Sequence, residues 1–370
     1  MLANLLEDNN KKKPKRKKHL YFLGFIKFIA MIKIIKWHIF PWNKRYIDYG
    51  ARMCEILFIS SGFLIGYNYS QIYMPSTYEQ SVKYTYKHFR NFYPLLVLNT
   101  LFVYFFSTKI NDITNIEILL SELLMIKSWS RFTYLLSRLS GISWFLSVLL
   151  FCYFLTPLLI NGIKNIKKSL ILIILIIFLR ILTEEIIRHG KLNIYDVHFH
   201  RGPIIRLLDF YIGMLLSPSF FLLKSYMDNY KQKKFLKYLF TLFQLLFPFL
   251  IYCIMKKYDK ILHRCYFVLI LSVFIFIFGF DYGYLSDIIA KKFSQKIMSC
   301  QMEMYLIQNT INDILKKIII IKLPINEEIK FLLKLLIIFF VGYFYKILLK
   351  EKLAKILDRI IIPLFKYYFT

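Results

Sequence analysis

The chain alternates between long apolar blocks and short polar stretches rich in lysine. The blocks fall near residues 20–41, 51–72, 91–107, 141–160, 169–185, 203–222, 236–254, 261–279, 297–315 and 331–349. Each is close to the roughly 20 residues that a helix needs to cross a bilayer core of about 30 Å. The pattern predicts an all-α integral membrane protein, a bundle of about ten transmembrane helices with both termini cytoplasmic. The inner segments of that arrangement carry more Lys and Arg than its outer loops, as the positive-inside rule requires. Loops 73–90 and 223–235 then face the cytoplasm, and loops 108–140 and 186–202 face outward. Within the first outer loop, the apolar stretch Ile116–Ile126 is expected to lie along the interface or to re-enter the membrane. Three parts result: a basic cytoplasmic tail over 1–19, a membrane domain over 20–349 and an amphipathic cytoplasmic tail over 350–370.

Composition strengthens the membrane reading. Hydrophobic residues make up 58% of the chain and aromatics 19%, too much apolar surface for a soluble globule to cover. The formal charge of +29 first suggests nucleic acid. The lysines sit mainly between apolar blocks, however, where juxtamembrane cations belong, so membrane lipids are the expected partner and nucleic acid is not. The run Lys11, Lys12, Lys13, Pro14, Lys15, Arg16, Lys17, Lys18 is expected to touch anionic headgroups. The apolar block that follows lacks a small-residue cleavage site and reads as a signal anchor. Cys54, Cys152, Cys253, Cys265 and Cys300 lie in apolar blocks or at their edges and are expected to be free thiols.

Candidate chemistry lies in ionisable residues inside the blocks, which are costly in lipid and tend to face internal cavities. The first block holds Lys27, Lys33, Lys36 and His38. Lys27 and His38 are eleven residues apart, which places them on one helix face with a rise of about 16 Å between them. Coenzyme A has a comparable shape, a phosphorylated head separated from its thioester by the pantetheine arm. A snorkelling Lys27 and a His38 that caps the span beside Pro41 fit the spacing equally well. In the second block Glu55 needs a cationic partner, for which Lys27, Lys33 or Lys36 is the nearest supply. Ser60, Ser61 and Gly62 offer a close approach to a helix or a ligand. Lys87 and Arg90 share a face at the cytoplasmic boundary, where they suit either a phosphate or the positive-inside bias. Arg206 and Asp209 stand one turn apart and are expected to pair. Asp196, His198 and His200 alternate as in a strand, with no second cluster to complete a ligand shell, so no metal site is expected.

Taken in order, these residues resemble the membrane acyltransferase-3 family. The carriers are Gly24 through Lys27 and on to Trp37-His38, where that family shows a basic residue, ten residues, then His. Glu55 through Ile65 resembles its Asp-Leu-Phe-Phe-Val-Leu-Ser-Gly-Phe-Leu-Ile stretch. Lys87-x-x-Arg90 with Tyr93-Pro94 resembles its Arg-x-x-Arg and Tyr-Pro stretch. Trp144 through Tyr153 and Pro157 looks like its Trp-Ser-Leu segment. Pro203, Arg206, Phe210 and Gly213-Met214 look like its Arg…Phe-x-x-Gly-Met stretch, and Tyr305-Leu306-Ile307-Gln308 looks like its Tyr-Leu-x-His. The chain departs at Leu149, where Glu is frequent, at Gln308 in place of His, and at Asn91, which shifts the basic pair by one.

The resemblance implies a stand-alone multi-pass enzyme of the cytoplasmic (inner) membrane, without an added extracytoplasmic hydrolase-like domain. It would move an acyl group, usually acetyl, from cytoplasmic acyl-CoA to a hydroxyl of a cell-envelope or exported glycan or a lipid-linked sugar. Acetyl-CoA is then a donor substrate, and no cofactor is held permanently. His38, Lys27 and Glu55 become the catalytic candidates. Lys27, Lys87, Arg90, Ser61 and Arg206 become candidates for the donor, and Trp144 and Gln308 for the acceptor side. The alternative is a secondary transporter of an anionic solute, in which the buried cations would bind substrate. A lipid-sugar glycosyltransferase ranks last, because Asp48 stands alone in the first outer loop.

Overall fold

Fifteen α-helices and no strand are found among the described residues of the computed structural model. These residues are 20–40, 44–69, 76–106, 114–129, 142–189, 201–230, 234–257, 264–317 and 326–364. In chain order the helices are α1 (Tyr21–Ile39), α2 (Lys44–Tyr69), α3 (Tyr78–Phe89), α4 (Tyr93–Phe106) and α5 (Thr114–Leu123). Then come α6 (Ser143–Ile160), α7 (Ile166–His189), α8 (Pro203–Asp228), α9 (Lys234–Lys257) and α10 (Arg264–Phe278). The short α11 (Tyr284–Ile289) and α12 (Lys292–Met298) lead into α13 (Gln301–Lys317), α14 (Glu327–Leu348) and α15 (Lys350–Leu364). Every expected apolar block is occupied by a helix.

Among the described residues, three helical stretches are long and apolar enough to cross a membrane: Ser143–Ile163, Pro203–Asp228 and Glu327–Leu348. Four others fall short for identifiable reasons. Lys27, Lys33 and Lys36 break the apolar run of α1, Arg52 and Glu55 break that of α2, and the apolar Tyr93–Phe106 and Phe267–Phe278 are short. Apolar side chains nevertheless cover the outside of the bundle, including Ile171, Ile174 and Phe178 on α7 and Leu336, Phe340 and Phe344 on α14. Such a surface belongs in lipid.

The core is organised around the crossing of α2 and α8. A Cβ at Gly62 would lie 1.8 Å from the carbonyl oxygen of Phe210, and one at Gly213 would lie 2.0 Å from that of Ile59. Backbone therefore meets backbone, as small residues in membrane helices permit. Gly66 continues the contact one turn on, against Ser217 and Met214. The aromatic rings of Phe63, Phe220 and Phe280 fill the space below.

Helix α1 packs on α2 and is held at its start by a distant residue. Leu20 supplies no side-chain cap. Instead the Asp281 carboxylate accepts from the Tyr21 and Phe22 N–H groups, each at 2.8 Å. Two otherwise orphaned donors are satisfied by a charge of the sign that the helix dipole favours. Asp281 is left-handed, with φ 62°, a conformation that Asp tolerates better than most residues.

The Ile116–Ile126 stretch, expected at the interface or re-entrant, lies in a segment over 114–129 that packs against α4 and α6 and buries Ser121, Glu122, Lys127 and Ser128. Lys127 and Glu122 pair at 2.8 Å, both fully enclosed. Ser128 and Ser147 share a hydrogen bond of 2.7 Å, and the Tyr93 hydroxyl donates to the Leu123 carbonyl at 3.0 Å. Cys54, Cys152, Cys253 and Cys300 are free thiols. The basic tail over 1–19 and the Asp196, His198 and His200 stretch lie outside the described residues.

Candidate functional site

Lys27 and His38 lie on the single uninterrupted helix α1, and each has a partner from another helix. The Lys27 ammonium donates to Ser61 Oγ at 3.1 Å, across the α1–α2 contact. His38 Nδ1 lies 3.2 Å from Gln308 Oε1 on α13. Lys27 is toward the end of the bundle capped by Asp281, and His38 is toward the other. Both are half-buried, so their common face is turned into the protein.

Around His38 several helix ends converge. The Trp37 indole contacts the imidazole in a tilted arrangement, with centroids 4.5 Å apart, and lies over Gly50, where any side chain would collide with it. Tyr305 on α13 donates to the Ile142 carbonyl at the head of α6, at 2.9 Å. Trp144, the second residue of α6, is buried beneath the guanidinium of Arg201, which sits 6.0 Å from its ring. Arg201 is also close enough to act electrostatically on His38, Cys54 and Tyr305. The structure thus brings Trp144, Gln308 and His38 into one neighbourhood, with Arg201 as an addition.

Glu55 has different partners from those expected. Its Oε1 lies 3.5 Å from Arg52 Nη1, 3.6 Å from Arg180 Nη2 and 3.4 Å from Arg206 Nη1. The lysines of α1 are engaged elsewhere: Lys27 with Ser61 and Lys36 with both oxygens of Glu328 at 2.7 Å, while Lys33 is exposed. The expectation that α1 neutralises Glu55 is therefore corrected. This stretch of α2 faces α7 and α8, and the guanidinium, planar and weakly hydrated, is the cation better suited to a buried pair. Arg206 does pair with Asp209, at 2.6 Å, and Arg180 contacts Asp209 as well. Glu55, Arg180, Arg206 and Asp209 are each at most 3% exposed at the side chain, a network held inside the bundle.

The basic pair occupies a different corner. Arg90, at the end of α3, donates from Nε and Nη2 to the two oxygens of Asp358 on α15, at 3.1 and 2.8 Å. Tyr86 adds a bond to the same carboxylate at 2.7 Å. Lys87 is exposed. Among the described residues no hydrogen bond or ion pair joins Lys87 or Arg90 to Lys27 or Ser61. The hydrogen bond from Arg90 holds the Asp358 carboxyl below its ordinary range.

Sequence reasoning passed over Arg180, Arg201, Glu122, Lys127 and Asp358. Arg180 carried a usable signal, since it is the cation of the 169–185 block. Arg201 and Asp358 carried none, because each sits in a polar stretch where a charge is unremarked. No group of three His, Cys, Asp or Glu side chains suited to a metal is present among the described residues.

A family model described as an acyltransferase domain matches residues 20–351. No curated protein matches the chain, and no solved structure does.

Proposed function

We propose that this chain, which belongs to that acyltransferase family, is a multi-pass cell-membrane enzyme using cytoplasmic acyl-CoA as donor. The acyl group is acetyl and the acceptor a hydroxyl of a cell-envelope or exported glycan or a lipid-linked sugar. The bundle would have about ten spans, with both termini in the cytoplasm.

One observation carries the reading. Lys27 and His38 stand about 16 Å apart along one unbroken helix, both half-buried, and each is held by a side chain from another helix. That is the span between the phosphates and the thioester of a bound CoA. Lys27 would hold the phosphorylated end as a point charge, with Ser61 directing its ammonium. His38 would act as general base. Its free nitrogen takes the proton of the acceptor hydroxyl while the oxygen attacks the thioester carbonyl. The carbon–sulfur bond breaks, an ester forms, and the imidazolium returns the proton to the departing sulfur. Glu55 would hold Arg206 and Arg180 in place rather than touch the donor. Lys87 and Arg90 would meet the donor at the cytoplasmic rim only after Arg90 exchanges Asp358 for a phosphate.

The test uses purified protein in detergent or nanodiscs. Coenzyme A should raise its thermal stability. His38→Ala should keep that stabilisation and lose transfer by about 10²–10⁴-fold, as expected for a removed acid–base group. Lys27→Ala should weaken CoA binding, and Lys27→Arg should restore part of it. Wild-type protein indifferent to CoA would sink the reading and favour an anion transporter.

A further inference from the structure

The bond between His38 and Gln308 carries more information than contact. The Gln308 side chain is buried and makes two hydrogen bonds with opposite ends of its amide. Nε2 donates to the Tyr305 carbonyl at 3.0 Å, and Oε1 faces His38 Nδ1 at 3.2 Å. A carbonyl oxygen only accepts, so it fixes which end of the amide faces it. Turning the amide over would set two oxygens against each other at Tyr305. The end presented to the imidazole is therefore an acceptor, and Nδ1 must supply the proton.

We propose that Gln308 is a positioning residue that holds neutral His38 as its Nδ1–H tautomer, leaving the Nε2 lone pair for the reacting proton. This rests on the role given to His38 above and deepens it. A neutral imidazole has one donor nitrogen and one acceptor nitrogen, and the hydrogen bond made by one sets the character of the other. A histidine base in the wrong tautomer presents a hydrogen where it needs a lone pair. Here Nε2 makes no hydrogen bond to any described residue, which leaves it open to an acceptor hydroxyl. When Nε2 takes up a proton, Nδ1–H keeps the same bond, so the imidazolium forms without rearrangement.

Gln308 can hold this orientation because α13 is itself fixed. Tyr305, one turn earlier, is bonded to the Ile142 carbonyl, and Thr310, two residues on, is bonded to Asn99 of α4 at 2.5 Å. The helix cannot rotate at this level without breaking both. In this reading the Tyr305-Leu306-Ile307-Gln308 stretch brings an anchor and an acceptor to one face of α13, and Gln308 serves the base rather than the acceptor substrate.

The experiment reads the tautomer directly, by nitrogen-15 NMR of histidine-labelled protein in nanodiscs. The His38 signals are assigned by their absence from the His38→Ala spectrum. At a pH where His38 is neutral, wild type should show a pyrrole-type Nδ1 and a pyridine-type Nε2. Gln308→Met, close in size but without an acceptor, should shift His38 toward the Nε2–H form. It should lower kcat about 10-fold or more while leaving the donor KM within about 2-fold, since a mispositioned base weakens only the proton-transfer step. Gln308→Glu retains an acceptor, so it should keep Nδ1 protonated and recover part of the turnover. Wild-type His38 found as Nε2–H would overturn the proposal without any variant, as would an unchanged tautomer in folded Gln308→Met. Because the spectrum does not depend on turnover, it separates the two claims. An Nδ1–H tautomer in a protein whose His38→Ala variant still transfers acyl groups would overturn the general base and, with it, the catalytic purpose given to Gln308.

Discussion

Replacing Gly62 with Ala should damage this protein more than any comparable one-methyl change at an open glycine. The added Cβ would stand 1.8 Å from the Phe210 carbonyl oxygen, 2.8 Å from its carbon and 3.2 Å from the Met214 nitrogen. All three are backbone atoms of α8, so no side chain can swing aside. Relief requires α2 and α8 to part by about 1.5 Å, enough to forfeit much of the dispersion contact along the crossing. Overpacking typically costs about 1–3 kcal/mol, and a backbone-against-backbone clash belongs at the upper end or beyond. Glu55 lies seven residues before Gly62 and Arg206 seven before Gly213, so each shares a helix face with its glycine. The same parting would carry Arg206 Nη1, now 3.4 Å from Glu55 Oε1, past ion-pair reach. Thermal unfolding in detergent should show a fall of about 5 °C or more for Gly62→Ala, taking about 2–4 °C per kcal/mol. Gly213→Ala should behave alike, and the double variant should lose less than the sum, because one parting relieves both clashes. Gly24 is the control. Nothing lies within 4 Å of its Cβ position, and a helical Gly→Ala change there should be neutral or slightly stabilising. Wild-type melting of Gly62→Ala and Gly213→Ala, or strict additivity of the two, would refute the backbone crossing.

The enclosed pair Lys127–Glu122 should follow the logic of buried charges: Glu122→Gln or Lys127→Met alone should cost about 3–5 kcal/mol, whereas Glu122→Leu with Lys127→Met should lose less than either. Thermal melts that simply add would contradict it. If Arg90 serves the donor, Asp358→Asn should lower the apparent KM for acyl-CoA by releasing a competitor; a raised KM would make the contact purely structural. The Asp358 carboxyl is held below its ordinary range by Arg90, so this link contributes at neutral pH and is lost as pH falls through that depressed value. A buffer series of α15 proteolysis should show the helix loosening only in acid. Asp281→Ala should unpin the first turn of α1 and raise the donor KM with little change in kcat. Asp281→Asn, which tolerates the left-handed backbone and keeps one acceptor, should do less harm in the same kinetic assay.

Much of the fold was legible because apolar length is a one-dimensional property. Each expected block contains a helix among its described residues, and Gly62 and the Arg206–Asp209 pair behaved as their spacing suggests. Partnerships between helices were not legible, since periodicity tells which face a residue occupies but not which helix that face meets. Glu55 illustrates the gap. The lysines of α1 are its neighbours in sequence, yet arginines on α2, α7 and α8 surround it. Asp358 escaped notice for the opposite reason. It stands in a helix whose alternation of charged and apolar residues suits an inner-leaflet tail, and nothing local marks one carboxylate as the partner of Arg90, 268 residues away.

If α1 sets the distance between the two ends of the proposed donor, these long-range bonds are what would keep that distance fixed. A separation set by helical rise is only as definite as the ends that hold it, and a terminal turn frays readily when its N–H groups lack partners. At the start of α1 the Asp281 carboxylate supplies them from 260 residues away. At its far end Gln308 holds His38 from 270 residues away, while Trp37 rests against Gly50. Between these points Lys27 meets Ser61 on the neighbouring helix, and α2 is locked in turn to α8 by the glycine crossing. The two candidate side chains are thus placed by separate parts of the chain that converge on one helix. Loosening either end should disturb one function before the other, the cation first at the Asp281 end and the imidazole first at the Gln308 end. A helix that merely filled the bundle would give no reason for that division.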